Sequence, residues 1–355
     1  MLLAGSLAAL LGMSASCTQT NHTEAQRTQT SPIEAMPTDS RPTEAASFLG
    51  EPLRRPELSP EKLARLTSDL NSATTNAAND PSSVEAAVWV GRRLSYLGRY
   101  REAVDWYTLA ISRLGNSAYL LRHRGHRFIT LRQLDRACLD LAQAQQLARS
   151  LPEHVEPDGI PSPGGPRTTL QGNIDYHLAL AFFLQGECAG AKNGSLDAAA
   201  AAAAWRQTVD RANNDDSRVA AIYWLAITEF ERGHAAAAMQ ALQRVHANME
   251  ILENRTYHQL CLAFKGDLAA DSLVPKDGPL GLGVDRATLG FGLAMHARHI
   301  AMNEPLAMKR LIETSQLPEW ASFGVIASEA VLKGNDGASA LSTTAIKLPR
   351  LDSNQ

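Results

Sequence analysis

The densest chemistry-bearing stretch runs from Val84 to Arg149, where eleven arginines, no lysine and five acids give a local charge of +6. The 355-residue chain carries only −3, so the remainder carries −9. So small a net charge argues against nucleic acid or an acidic lipid surface as partner, while a basic segment of this size attracts anions locally. Arginine suits carboxylates because its planar fork donates two parallel hydrogen bonds. Tyrosine adds flat contact area with a polar tip. Helical spacing places Arg92, Tyr96, Tyr119, Arg122, His126, Tyr176 and Tyr223 on one surface, an Arg-, His- and Tyr-bearing groove. The partner this predicts is a protein or peptide with acidic groups or a C-terminal carboxylate. The competing reading is a solvated helix face whose arginines pair with neighbouring acids.

Other chemistries find less support. His123 and His126 lie three apart on one helix, as do His296 and His299, a spacing that seats a metal on one face. No HExxH run or neighbouring ligand completes a shell, so no metal and no cofactor is expected. There is no GxSxG, and the glycines of Gly278–Gly283 lack the lysine of a phosphate loop. Glu229 and Glu231 stand two apart on a helix and point to different faces. The chain therefore does not read as an enzyme, and catalysis would need an unrecognised site near one of the histidine pairs. Of four cysteines, Cys138, Cys188 and Cys261 fall inside helical patterns with no CxxC spacing and read as small core hydrophobes. A Cys188–Cys261 pair stays open in an oxidising compartment.

These residues need helices to hold them. Alanine and leucine abound, β-branched residues are sparse, and hydrophobic residues make up 45%. Gly91 and Gly125 lie 34 residues apart, as do Leu94 and Phe128, Ala103 and Ala137, Tyr107 and Leu141, and Ala110 and Ala144. That is the tetratricopeptide period. Small residues alternate with large ones, as two closely packed helices require. The clearest repeats are 84–116 and 118–150, and the second has Arg132 where the first has the turn residue Gly98. Degenerate units follow at 172–213, with an insertion of about ten residues near Ala189–Ala198 that repeat loops tolerate, at 219–250 and at 287–315. Pro60 to Asn79 reads as a lone helix, and Val155–Arg167 and Lys265–Val284 as loops. Val90–Tyr100 (VGRRLSYLGRY) and Arg122–Arg127 (RHRGHR) resemble the runs of a bacterial exported or lipoprotein tetratricopeptide family. The resemblance implies an all-α, right-handed superhelical solenoid of antiparallel helix hairpins over 60–335, and no reaction.

Residues 1–17 read as a signal or lipobox-like segment. A short apolar run to Met13 precedes Ser14-Ala15-Ser16-Cys17, too short to span a bilayer. Cys17 is the lipidation candidate, although Ser14 stands where the lipoprotein pattern prefers Leu and no basic residue opens the run. Cleavage after Ser16 is the alternative. Residues 18–59, rich in Thr, Ser, Pro and Glu, read as a disordered tether, and 336–355 as a flexible tail. The expected location is the bacterial envelope, periplasmic or anchored, with membrane contact only through Cys17. The expected function is a non-enzymatic binding scaffold using its concave groove. A structural component of an envelope complex, or a homo-oligomer packing through convex or edge surfaces, is the alternative.

Overall fold

A computed structural model describes residues 39–157, 165–188, 196–275 and 280–335. From Arg41 onwards these form one compact unit, and it is mostly helical. Helix α1 spans Pro60–Asn79, α2 Val84–Tyr96, α3 Tyr100–Leu114, α4 Ala118–Thr130 and α5 Leu134–Ala148. Next come α6 at Leu170–Cys188, α7 at Leu196–Arg211, α8 at Asp215–Glu231 and α9 at Ala235–Leu242. The chain closes with α10 at Arg255–Lys265, α11 at Gly283–His299, α12 at Glu304–Ser315 and α13 at Phe323–Gly334. Local chemistry starts several of them. The hydroxyls of Ser59 and Ser83 and the amides of Asn214 and Asn303 each accept a first-turn backbone N–H, and Pro60 opens α1 where no donor is needed.

Consecutive helices pack on each other throughout, and α2, α4, α6, α8 and α10 also touch in series. The packing follows the small–large alternation. A Cβ added at Gly91 would lie 2.1 Å from the Tyr107 ring, and one at Gly125 would lie 2.7 Å from Leu141. The connectors of α2–α3, α4–α5 and α8–α9 share one turn, with Gly98, Arg132 and Gly233 at φ 71°, 62° and 76°. In each, the next residue donates back to a last-turn carbonyl: Arg99 to Leu94, Gln133 to Phe128 and His234 to Glu229. Arg132 thus takes the left-handed turn that elsewhere uses glycine, at a cost of about 1–2 kcal/mol.

Two features depart from the sequence reading. The segment read as a tether contains an antiparallel hairpin, β1 at Thr43–Ala46 with β2 at Pro52–Arg54. Its composition is poor in apolar residues, but distant elements supply what it lacks. Ala45 and Leu53 are buried, the Glu329 carboxylate accepts from Phe48 N, and Trp320 Nε1 donates to the Arg54 carbonyl. The second is α13, which packs against α6 and α11 and brings the C-terminal end back to the middle of the array. The signal-like segment with Cys17, the first part of the tether and the 336–355 tail lie outside the described residues. Cys261 is a buried reduced thiol and takes part in no disulfide. Among the described residues, no helix is long and apolar enough to cross a membrane.

Candidate functional site

The arginine excess sorts by partner. Arg93 meets Asp69 at 3.3 Å, Arg99 binds Glu102, Arg124 grips Asp140 with two bonds of 2.7 and 2.8 Å, and Arg132 pairs with Glu329 at 2.6 Å. Arg122 Nε stands 3.2 Å from Glu156, which follows α5. Of the buried and half-buried arginines of this stretch, that leaves Arg92 and Arg127 without a carboxylate among the described residues. Arg92 donates to the Pro157 carbonyl at 2.8 Å and to the Tyr96 hydroxyl at 3.3 Å, with its guanidinium 4.4 Å from the Trp89 ring centre. Arg127 sits 5.5 Å over the Tyr100 ring and has no ion pair or hydrogen bond among the described residues. Burial pushes the pKa of both Arg122 and Arg127 down, and Tyr100 and Tyr107 partly offset this at Arg127.

The histidines beside them carry no charge at neutral pH. His123 Nδ1 meets Arg122 at 2.9 Å and its Nε2 lies 3.3 Å from Glu156. His177 Nδ1 stands 2.6 Å from the Asn173 carbonyl; since a carbonyl only accepts, the proton is on Nδ1. The His126 and His177 rings lie 4.2 Å apart, and both pack against Phe323 of α13. Burial, reinforced by Arg122, holds His123 and His177 down to about 3; burial and Arg127 hold His126 well below its ordinary value. At Glu156 burial opposes the charge, but Arg122, His123 and Asn173 outweigh it and keep the carboxyl below the usual range. Glu156 therefore answers Arg122, and among the described residues no acid pairs with Arg92 or Arg127.

This predicts acid lability. In the unfolded chain these rings titrate near 6.5. Below that value the unfolded state binds protons that the folded state refuses, until the folded rings titrate at about 3. Stability is complete above pH 6.5 and falls with pH by about 1.4 kcal/mol per unit for each ring. Urea denaturation from pH 7.5 to 4.5 measures the slope, and His177→Gln should make it shallower. An unchanged slope would contradict the buried neutral ring.

A recess of about 260 Å³ opens beside this cluster, between α6, the end of α7, the start of α8 and the residues entering α10. Tyr176, His177, Asn254, Tyr257 and Phe323 line it. Trp224 Nε1 donates to the Tyr176 hydroxyl at 2.7 Å, and that hydroxyl is 3.4 Å from the one on Tyr257. A larger, more open groove of about 450 Å³ lies between α1 and α2. Its Asp69 is already paired with Arg65 and Arg93.

The sequence-predicted residues are thus partly dispersed. Arg92 and Tyr96 are bonded, and Arg122 and His126 belong to the buried cluster. Tyr119 is half-buried with His154 at its ring edge, 6.3 Å between centres. Tyr176 joins the recess. Tyr223 is 1% exposed and packs its ring 4.8 Å from Tyr257, so it presents no groove surface. Glu156, Asn173, His177 and Tyr257 were not in that set. The run Arg122–Arg127 pointed toward Arg127 but gave no sign that it lacks a partner. Glu229 and Glu231 do face different neighbours: Glu229 binds Arg206, Arg232 and His234, and Glu231 binds Arg298 and His299. His296 instead sets its ring against Phe264, 5.5 Å away. Among the described residues, no group of three or more His, Cys, Asp or Glu is placed to hold a metal. Neither a protein-family model nor a curated protein matches this chain.

Proposed function

We propose that this protein is a tetratricopeptide-type scaffold that binds rather than catalyses, and that the α2–α4 face takes the carboxylate of a peptide segment. The repeat reading is supported by the shared left-handed turn and by the 34-residue recurrence of small–large packing. The observation that carries the ligand chemistry is Arg92 and Arg127, set into the packing with no carboxylate among the described residues while each neighbouring buried or half-buried arginine has one. A guanidinium away from bulk water gains most from an anion that supplies what the protein withholds. Export, with Cys17 as anchor, belongs to the same reading, and mass spectrometry of the mature N-terminus tests it.

Calorimetry on the full chain, with acidic hexapeptides as free acids and as C-terminal amides, tests the binding reading. Free acids should bind more tightly, and Arg92→Ala or Arg127→Ala should each weaken them about tenfold or more, the weight of a charge-assisted hydrogen bond. The exposed Arg113→Ala should change nothing. Equal binding of acids and amides, or an Arg92→Ala/Arg127→Ala double variant with unaltered affinity, refutes it.

A further inference from the structure

The 260 Å³ recess between α6, α7, α8 and α10 keeps both hydrogen-bond donors and acceptors unused. Asn173 Nδ2 gives one hydrogen to Glu156 and Asn254 Nδ2 gives one to the Asp216 carbonyl, which fixes both amide orientations because those partners only accept. Each amide keeps its second hydrogen and its oxygen. The hydroxyls of Thr168 and Ser217 have no partner among the described residues, and Thr169 accepts from Gly172 N but has its own hydrogen to give. Thr208 donates to the Ala204 carbonyl and keeps its lone pairs, while His177 keeps Nε2 as an acceptor. Thr169, His177 and Thr208 are buried, so these groups belong to the packed wall rather than to loose surface side chains.

Charge does not select a ligand here. The lining has one guanidinium, Arg211, and one carboxylate, Glu253, and Arg211 already bonds to Asp175 and Glu153. A net charge on the ligand therefore gains little. A wholly apolar ligand would desolvate the amides and hydroxyls without pairing them, which is unfavourable. The apolar part of the lining is three rings, Tyr176, Tyr257 and Phe323, whose faces carry the negative side of the ring quadrupole and attract weakly positive C–H groups. The volume lies just under the roughly 300–1,000 Å³ of sites for larger organic ligands, which suits a single ring.

We propose that this recess binds one neutral sugar ring, whose hydroxyls donate and accept at once and whose C–H face lies on the aromatic rings. Each sugar hydroxyl offers one donor and two acceptor positions. Several of them on one ring answer a wall in which amide hydrogens, amide oxygens and threonine hydroxyls stand together. A peptide backbone also offers both kinds of group, but it has no flat C–H face for the rings. Arg92 and Arg127 do not line the recess, so this proposal and the carboxylate reading stand or fall separately.

Calorimetry on the full chain tests the proposal with methyl β-glucoside, methyl β-galactoside and N-acetylglucosamine as neutral sugars. Cyclohexanol is the ring with a single hydroxyl, glucosamine and glucuronate carry the two signs of charge, and acetyl-glycyl-glycine amide stands for a peptide backbone. At least one neutral sugar should bind. Cyclohexanol and the peptide should bind about tenfold more weakly or not at all, the weight of one or two lost hydrogen bonds. Neither charged sugar should bind more tightly than the best neutral one. Thr168→Val removes a hydroxyl at constant shape and should weaken the sugar about fivefold. Ser217→Leu, which fills the recess from the first turn of α8, should abolish binding in a protein whose melting temperature shows it folded. Arg92→Ala should leave sugar binding unchanged. No binding by any neutral sugar, tighter binding of a charged sugar, cyclohexanol or the peptide, or affinity unaltered in both Thr168→Val and Ser217→Leu overturns it.

Discussion

Glu329→Ala should lower the unfolding free energy by about 3–5 kcal/mol, the cost of leaving one member of a buried ion pair without its partner. Arg132 and Glu329 have side chains only 3% and 1% exposed. Both Arg132 Nε and NH2 donate to the carboxylate, and NH2 also reaches the Trp320 carbonyl at 2.8 Å. The same carboxylate accepts from Phe48 N, so removing it frees the β1–β2 hairpin as well as α13. Chemical denaturation measures the loss, and hydrogen exchange should show the hairpin and α13 opening first. The reciprocal variants give a sharper check. Arg132→Ala and Arg132→Gly both orphan the carboxylate, but only alanine keeps the left-handed strain at φ 62°. The glycine variant should be the more stable of the two by about 1 kcal/mol. Equal stability would mean that the turn carries no strain.

Gly324→Ala should cost about 3 kcal/mol or more, at the upper end for an overpacked core. A methyl at this position would lie 2.2 Å from the Ala287 carbonyl oxygen and 2.9 Å from Thr288 N. These are backbone atoms of α11 and cannot rotate away, so α13 must lift from α11. Phe323 sits next in sequence and packs on His126, Tyr176 and His177. The displacement therefore reaches Tyr176, to whose hydroxyl Trp224 donates, and should shift the tryptophan fluorescence of the folded protein. The denaturation midpoint and the emission spectrum report the two effects. A Gly324→Ala protein with wild-type stability would show that α13 does not approach α11 as closely as described.

Several elements were legible before the structure. Helices α1 to α5 follow from the 34-residue spacing and from the helical run Pro60–Asn79, because each depends on residues close in sequence. The α8–α9 and α11–α12 pairs follow from the same small–large scheme. Helix α10, helix α13 and the hairpin were not singled out. Phe48 meets Glu329 across 281 residues and Arg132 meets it across 197, and no local pattern encodes such separations. The candidate site divides in the same way. The concentration of arginine on α2 and α4 was readable, but which arginines keep their charge unspent was not. Arg122 is answered by Glu156, which follows α5, and Arg132 by Glu329 of α13. The recess lined by Tyr176, Tyr257 and Phe323 left no motif, because residues from α6, α10 and α13 meet there only in the folded chain.

By itself, then, the sequence determined a mostly helical chain, a 34-residue recurrence of small and large residues and a basic segment on its early helices, since residue size, helix propensity and local charge act over short separations. The tertiary structure decided that α13 packs back on α6, that Tyr223 is buried, and that, of the buried and half-buried arginines of α2 to α5 and their connectors, Arg92 and Arg127 have no carboxylate among the described residues. Those outcomes depend on which distant groups meet once the chain has folded, and a buried charge is defined by its partner as much as by its own type.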